Sequence, residues 1–423
     1  HGDWLNQRSD DFTTWPVLGE KKGTTDTFFK LFSRGLETAR DAWAYSYSEN
    51  KLQDQARGLM ENYCAALDAI QPDQTAESVL KENPRLVDPR LGKWSSSLIS
   101  QLNRRAPLSR GGVTAHSLYR PFCKQRAFFD AQFNHRQYQL PSMFPTSAHQ
   151  NIGYGVCAAS NRTPFSLLAS DLLPNLSLFM DPAQFFSRFT WAPVDADGGL
   201  FGEGASISKS EPSIYGQVGE VVAGYVRKDN ITDEIKALYR DALGADITGD
   251  DIFHFVYGKL HDPEYRAKYA ADLKKMLPHI ETPSSRAEFD KFAAAGQKLM
   301  DLHVHYEDVE PWPLDVQVKG DESSRETWRV IKMRWAKRND PETGKKINDV
   351  TKLIYNKQVT ISGIPAEADE YMLGSRSAIA WLIDRYQVKK DKASGIVNDP
   401  NDWADEVGNP RYICLLYTSD AAD

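Results

Sequence analysis

Apolar residues recur three and four positions apart in two parts of the chain, and this spacing predicts amphipathic helices there. The first helical stretch covers residues 40–67, with Ser48 at an N-cap position inside it. In the second, residues 231–303, four helices with short linkers are expected, and the last runs from 286 to 302. We therefore expect a compact helical subdomain in this second stretch.

Capping residues mark the helix ends of the second stretch. Thr248, followed three residues later by Asp251, resembles a capping box with aspartate in place of the usual glutamate. Asp262 is an expected N-cap with Pro263 at the first helical position, and Gly244 is expected to end the preceding helix. Because these signals are local, they predict boundaries without knowledge of the tertiary fold.

Alternating and short apolar runs predict strands in the remaining parts. Two β-prone segments, 113–119 and 125–129, flank Pro121 and form a hairpin-like pair. The segments NIGYGVCAAS, FSLLASDLLP and KLIYNKQVTISGIP also predict strands, and TWRVIKMRW (327–335) alternates before a PETGKK turn. The Gly-rich stretch 195–206 is expected to be an exposed loop. Together these elements predict an α+β fold, a mixed β-sheet region with an inserted helical subdomain.

Charge is distributed unevenly along the chain. The net charge is −7, yet the segment from Pro89 to Ser170 holds ten Lys and Arg residues and a single acid, Asp130. Aromatic residues are interleaved with these cations, a combination that suits phosphate contact and base stacking. This segment, called the basic island below, therefore indicates contact with nucleic acid; the alternative is a solvated face over core aromatics. Its cations are Arg90, Lys93, Arg104, Arg105, Arg110, Arg120, Lys124, Arg126, Arg136 and Arg162.

Signatures of catalysis are missing from the sequence. The chain has no G-x-S-x-G elbow, no complete phosphate-binding loop and no C-x-x-C pair. Its four cysteines are scattered, as expected for free thiols in a reducing cytoplasm. His303 and His305 form a weak candidate metal pair, for which solvation of a helix end is the better interpretation. We expect no catalytic residue, no metal and no cofactor in this chain, and no apolar run reaches the ~18 residues of a membrane helix.

Several stretches in order along nearly the whole chain are similar to one family. They are HGDWLNQRSDDF, RDAWAYSYS, LYRPFCKQRAFFD, FHFVYGKLHDPEYRAKYAADLKKMLP and GSRSAIAWLIDRYQVKKDKASGIVNDPNDW. The chain resembles the C-terminal specificity region, or target-recognition region, of type ISP restriction–modification enzymes, which are single-polypeptide and ATP-dependent. The final CLLYTSDAAD departs from the family pattern, so residues 414–423 are expected to be non-native.

The resemblance implies a parent enzyme with an upstream nuclease, a helicase-like translocase and an adenine-N6 methyltransferase. It would use S-adenosylmethionine, ATP and Mg, and act on double-stranded DNA in the cytoplasm. This chain would hold the target DNA for those domains. The expected division is a segment trailing the methyltransferase (1–35), a helical connector (36–110), a β-rich recognition part (111–230), a helical coupler (231–310), strands plus a C-terminal helix (311–413) and the tail (414–423).

Two surfaces are candidates for DNA contact in such a module. One is the basic island, where Arg120, Lys124 and Arg126 flank the predicted turn and could project into a groove. The other follows the predicted strand 327–338 and continues to Lys345 and Lys346 in the turn, although six acids lie nearby. The full set of predicted DNA-binding residues is Arg104, Arg105, Arg120, Lys124, Arg126, Arg136, Lys332, Arg334, Lys337 and Arg338.

Three alternatives remain open at this point. The chain could be the specificity region of a fused restriction–methylation enzyme that lacks a helicase. It could be a protein-interaction or scaffold module in which the basic island is incidental. A hydrolase with a metal at His303 and His305 is the third.

Overall fold

The computed structural model describes residues 9–20, 26–108, 111–157, 162–194 and 212–420. The fold is α+β, as predicted. The expected loop at 195–206 and the cation Arg110 lie outside the described residues. Within the described ranges, no helix is long and apolar enough to cross a membrane.

The helices, in chain order, are α1 Asp41–Ala44, α2 Glu49–Ala69, α3 Ala76–Glu82, α4 Ser96–Asn103, α5 Asp233–Leu243, α6 Gly249–His261, α7 Pro263–Lys268, α8 Ala270–Leu273, α9 Arg286–Val304, α10 Arg325–Trp328, α11 Ala378–Arg385, α12 Asn401–Glu406 and α13 Tyr412–Asp420.

The strands are β1 Ser33–Arg34, β2 Tyr45–Ser46, β3 Val113–Arg120, β4 Cys123–Phe129, β5 Gly153–Cys157, β6 Leu167–Ser170, β7 Leu173–Pro174, β8 Ala183–Ser187, β9 Phe189–Pro193, β10 Val221–Val222, β11 Tyr225–Asp229, β12 Asp315–Val318, β13 Arg334–Asn339, β14 Lys346–Ile354, β15 Val359–Ser362, β16 Met372–Leu373, β17 Arg376–Ser377, β18 Lys389–Lys390 and β19 Val397–Asn398.

The described residues form two compact units, and each unit is assembled from two separate segments. Unit 1 combines residues from 1–35 and 138–305, whereas unit 2 combines residues from 36–137 and 306–423. This arrangement differs from the linear division expected from the sequence. Long-range pairing decides it, because β1 near the start of the chain pairs with β8 some 150 residues later.

Unit 1 is built on an antiparallel sheet with the strand order β1-β8-β5-β6. Strands β5 and β6 are buried along their whole length, which explains their continuous apolar runs. Helices α5 to α9 cover this sheet, and Tyr257 of α6 connects the layers: its hydroxyl accepts a hydrogen bond from Ala169 N and lies 2.6 Å from Nδ1 of His303. The helices and the sheet therefore share one hydrophobic core.

Local cap signals placed the helices of unit 1 correctly. The capping box between Thr248 and Asp251 is present, and Asp262 caps α7 with Pro263 at its first position. Helices α6 and α9 approach closely at Gly258 and Gly296, where an added Cβ would lie 2.2 Å and 2.0 Å from backbone oxygens of the facing helix. Any side chain at these two positions would therefore force the helices apart.

A buried ion-pair network ties the sheet of unit 1 to its helices. The guanidinium of Arg188 is fully buried and lies 2.6 Å from Asp229 Oδ1 and 2.7 Å from Asp250 Oδ1. Since isolated buried charges are strongly unfavourable, the two carboxylates and the guanidinium depend on one another.

Unit 2 contains the long helix α2, whose N-cap is Ser48, as predicted. Helices α2, α3 and α4 enclose a core that also includes Phe128 and Phe133. Strands β2, β4 and β3 lie side by side in that order, and a second antiparallel sheet has the order β12-β15-β14-β13. Cys414, Leu416 and Tyr417 of α13, within the expected non-native tail, are buried.

The predicted strand at 327–335 is wrong. Residues 325–328 form the short helix α10, and the strand β13 begins only at Arg334. The segment before β13 is irregular, and its residues Trp328, Val330 and Met333 are buried, whereas Ile331 is exposed. This mixture of buried and exposed residues produces the apparent alternation in the sequence. The segment 352–365, where one or two strands are expected, contains the end of β14 and the whole of β15, and the PETGKK turn is confirmed as the loop before Lys346.

Candidate nucleic-acid interface

The predicted hairpin of the basic island exists as β3 and β4. Their register pairs Thr114 with Phe128 and Arg120 with Cys123, and the two-residue turn is Pro121–Phe122. Phe122 has a φ of +54°, an uncommon conformation for a non-glycine residue, and its side chain is buried. The turn is therefore held against the body of unit 2.

Arg120 points inward from this hairpin. Its exposed fraction is 6%, its guanidinium lies 4.1 Å from the centre of the Tyr119 ring, and Nη1 donates to the Tyr119 carbonyl. The expectation that Arg120 projects from an exposed turn is wrong in this structure, because the turn packs down and carries the arginine with it.

Lys124 and Arg126 are also engaged within unit 2. Lys124 Nζ lies 3.1 Å from Glu307 Oε1, and Arg126 donates through Nε and Nη2 to Glu406 Oε2 while its guanidinium covers the Trp403 ring at 4.7 Å. Their expected projection into a groove is wrong as well, because each side chain forms an ion pair with a glutamate of unit 2. Both carboxylates are far away in sequence, so the local charge count did not include them.

Three of the predicted DNA-binding cations of the island keep exposed positions. Arg104 follows the end of α4, and Arg105 beside it donates to the Gln71 carbonyl from a backbone with a φ of +51°. Arg136 is exposed as well, on a backbone that forms a bridge with Glu37. These side chains lie where a phosphate could reach them.

The second candidate surface is an exposed two-stranded ribbon. Strands β13 and β14 pair from Ala336–Asp349 to Asn339–Lys346, with the loop 340–345 at the tip. Of the residues of β14, only 352–354 pair with β15, so the distal part of the β13–β14 hairpin extends beyond the sheet. Between the pairs Trp335–Leu353 and Ala336–Asp349 the register shifts, and β14 carries the extra residues 350–352 there. The distal part of the hairpin, residues 336–349, is called the ribbon below.

The predicted cations of the second surface are all exposed. Lys332 and Arg334 lie at the base, Lys337 and Arg338 on β13, and Lys345 and Lys346 at the tip. Within the described residues none of these six forms an ion pair as close as 4 Å. The ribbon therefore presents positive charge to solvent, in contrast to the β3–β4 hairpin.

Two carboxylates of the ribbon, those of Asp340 and Asp349, accept hydrogen bonds from nearby residues of the chain. Asp340 accepts from Glu342 N at 2.9 Å and from the Thr343 hydroxyl at 2.8 Å, and these bonds hold its pKa below the ordinary value. Asp349 is likewise bound by the hydroxyl and N–H of Thr351, which lowers its pKa. These acids stabilise the turn and the irregularity, although they also reduce the net charge of the ribbon.

Two asparagines on the ribbon, Asn339 and Asn348, were not predicted as functional residues. Both are exposed, and Asn348 Oδ1 accepts a hydrogen bond of 2.6 Å from Lys337 Nζ. A signal for them was present in the sequence, because KRN and KIN place lysine and asparagine two residues apart on both sides of the turn.

Potential catalytic groups do not converge on a site in the part of the chain that the structure describes. His303 is buried, and its burial lowers its pKa to about 3, whereas His305 is exposed with Nε2 3.7 Å from Asp301 Oδ1. The described residues contain no group of three or more His, Cys, Asp or Glu that could hold a metal ion. The two histidines therefore do not face a common centre.

Comparison with known proteins identifies the family. Residues 27–416 match the type ISP C-terminal specificity domain, so the chain belongs to this family. The resemblance found in the sequence is confirmed. A search of curated proteins finds no match.

Three solved structures are similar to this one. A nuclease-deletion mutant of the type ISP restriction–modification enzyme LlaGI, in complex with a DNA substrate mimic, is 28% identical with a TM-score of 0.77 over 99% of this chain and 34% of its own. The ATP-dependent type ISP restriction–modification enzyme LlaBIII bound to DNA is 28% identical, with a TM-score of 0.78 over 100% of this chain and 24% of its own. A DrdV–DNA complex is 26% identical, with a TM-score of 0.74 over 99% of this chain and 38% of its own. The chain thus spans between a quarter and two fifths of these proteins.

Proposed function

We propose that this chain recognises a specific sequence in double-stranded DNA, and that the ribbon is its main contact. The observation that carries the proposal is the exposed, cation-bearing ribbon in a family whose similar structures were determined with DNA. The major groove of B-DNA is about 12 Å wide and admits a two-stranded β-ribbon. A ribbon that extends beyond its sheet has the shape required to enter it.

Phosphate contacts fix the orientation of a protein on the duplex, and base contacts provide specificity. We assign phosphate contacts to the exposed cations Arg104, Arg105, Arg136, Lys332, Arg334, Lys337 and Arg338. Arg120, Lys124 and Arg126 would have to leave their intramolecular partners to reach DNA, so we assign them chiefly to the scaffold of unit 2.

The partner domains of the same polypeptide would use the DNA held here. A methyltransferase with S-adenosylmethionine would methylate an adenine at N6 after flipping it out of the stack. A helicase-like motor with ATP and Mg would drive translocation that leads to cleavage by an endonuclease domain. These reactions would take place in the cytoplasm. This chain would select the DNA site, and the other domains would catalyse the reactions.

A mobility-shift assay with a random-sequence duplex at low salt tests the proposal. The matched variant replaces residues 337–348 by Asn-Gly, which closes the hairpin at the existing Ala336–Asp349 pair with a two-residue turn. We expect the unaltered chain to shift the duplex and the variant to lose most of that binding. Circular dichroism verifies that the variant is folded.

Each outcome decides a distinct point. Failure of the unaltered chain to bind duplex DNA at low salt would overturn the proposed function and favour a protein-interaction module. Equal binding by the ribbonless variant would overturn the ribbon as the main contact.

A further inference from the structure

The two faces of the ribbon differ in chemistry. The register places Lys337 opposite Asn348 and Asn339 opposite Lys346, so these four side chains share one face. The other face carries Ala336, Arg338, Ile347 and Asp349. All amide and ammonium groups of the ribbon's strands thus lie together, and no carboxylate shares their face.

Exposure indicates which face is free to meet a ligand. The four residues of the Lys/Asn face are all exposed, whereas on the opposite face Arg338 is exposed and Ala336, Ile347 and Asp349 are half-buried. Apart from Arg338, the opposite face is therefore partly covered, whereas the whole Lys/Asn face is turned to solvent.

Asn348 is held in place for recognition by its cross-strand neighbour. Lys337 Nζ donates to Asn348 Oδ1 at 2.6 Å, which fixes the amide but uses only one of the two lone pairs on that oxygen. The second lone pair and both N–H groups of the amide remain able to form further hydrogen bonds. Lys337 acts here as a positioning residue.

The amide group matches one base edge in particular. Asparagine pairs bidentately with adenine in the major groove, where its oxygen accepts from N6 and its nitrogen donates to N7. Asn339 and Asn348 are diagonal neighbours on the ribbon, and such positions lie about 7–8 Å apart. That distance corresponds to about two base steps at 3.4 Å each.

We propose that Asn339 and Asn348 read the major-groove edges of two adenines about two base steps apart. This inference rests on the proposed function and deepens it, because it assigns sequence reading to the amides and general affinity to the surrounding cations. Lys346 completes the face as a phosphate or guanine contact.

The test begins with selection of preferred duplexes from a randomised DNA library by the whole chain. Each adenine of the selected duplex is then replaced in turn by 7-deazaadenine, which removes the N7 acceptor and leaves Watson–Crick pairing intact. At two adenines we expect the affinity of the unaltered chain to fall about 5- to 150-fold, because an amide N–H at the interface is left without its acceptor. Asn339→Ala should abolish the effect at one of them, and Asn348→Ala at the other.

Controls separate this inference from the proposed function. Asn50→Ala, an exposed asparagine on α2, should behave as the unaltered chain. Both ribbon variants should still shift a random duplex at low salt, since their cations are intact. Unchanged adenine preference in both variants, with binding retained, would overturn the inference alone, whereas absence of duplex binding by the unaltered chain would overturn the proposed function as well.

Discussion

Replacing Lys345 and Lys346 by alanine removes two cations from the tip of the ribbon at little expense to the fold. Both side chains are exposed, and neither forms an ion pair as close as 4 Å with another described residue. The backbone bonds that close the tip, from Asp340 N to Lys345 O and from Gly344 N to Asp340 O, do not involve these side chains. The change should therefore act on DNA binding and leave stability nearly unaltered.

The size of the effect follows from counterion release. Each phosphate neutralised on B-DNA contributes about −0.9 to the slope of log K against log salt. If both lysines contact phosphates, the slope of the double variant should be shallower by about 1.8. When the salt is raised from about 50 to about 200 mM, the ratio of the DNA affinity of the unaltered chain to that of the double variant should then fall about 12-fold.

Fluorescence anisotropy with a labelled random duplex measures this slope directly. Lys81→Ala is the matched control, because Lys81 is an exposed lysine on α3 of the same unit. Parallel salt plots for the double variant and the unaltered chain would refute the reasoning, since two lost phosphate contacts cannot leave the slope unchanged.

Further predictions concern the scaffold and are read by thermal or denaturant unfolding. Arg126→Ala should cost about 1–3 kcal/mol through its lost charged hydrogen bonds, and an unchanged midpoint would contradict its role in the scaffold. Arg188→Met removes the cation shared by two buried carboxylates, of which Asp229 keeps its ion pair with Lys236, and should cost about 3–5 kcal/mol. Arg162→Met should cost less than about 1 kcal/mol because the Arg162 side chain is 86% exposed; equal losses for the two variants would refute the burial argument. Burial lowers the pKa of His303 to about 3, so the unfolded chain binds the extra proton and stability should fall as pH drops from about 6.5 towards 3. His303→Gln should make that pH dependence shallower but not remove it, because burial also lowers the pKa values of His254 and His261; an unchanged profile would contradict the role of His303.

Local signals in the sequence predicted the helices and the hairpins well. Caps such as Thr248 with Asp251 act over three residues, and the structure contains them as expected. The strand predicted at 327–335 is wrong because an irregular segment with buried residues, followed by a strand, has the same apolar pattern in the sequence as a single strand. The assembly of each unit from two segments depends on pairing between distant strands, which no local pattern records.

The same distinction explains the outcome for the candidate site. The cations of the ribbon surround a local turn, so their exposure could be anticipated from the PETGKK motif. The positive charge of the β3–β4 hairpin is instead balanced by Glu307 and Glu406, which follow about 180 and 280 residues later. A count of charge along the chain therefore favoured a hairpin whose cations are paired within the folded unit.

Photo-crosslinking from the ribbon tests the central claim most directly. The unaltered chain is compared with two variants that carry p-benzoylphenylalanine, one in place of Lys346 and one in place of Lys81, each irradiated with duplex DNA. The ribbon variant should form covalent adducts with DNA, mapped by mass spectrometry to major-groove atoms, and the α3 variant should form few. Adducts from position 81 but not from position 346 would contradict the placement of the ribbon in the groove.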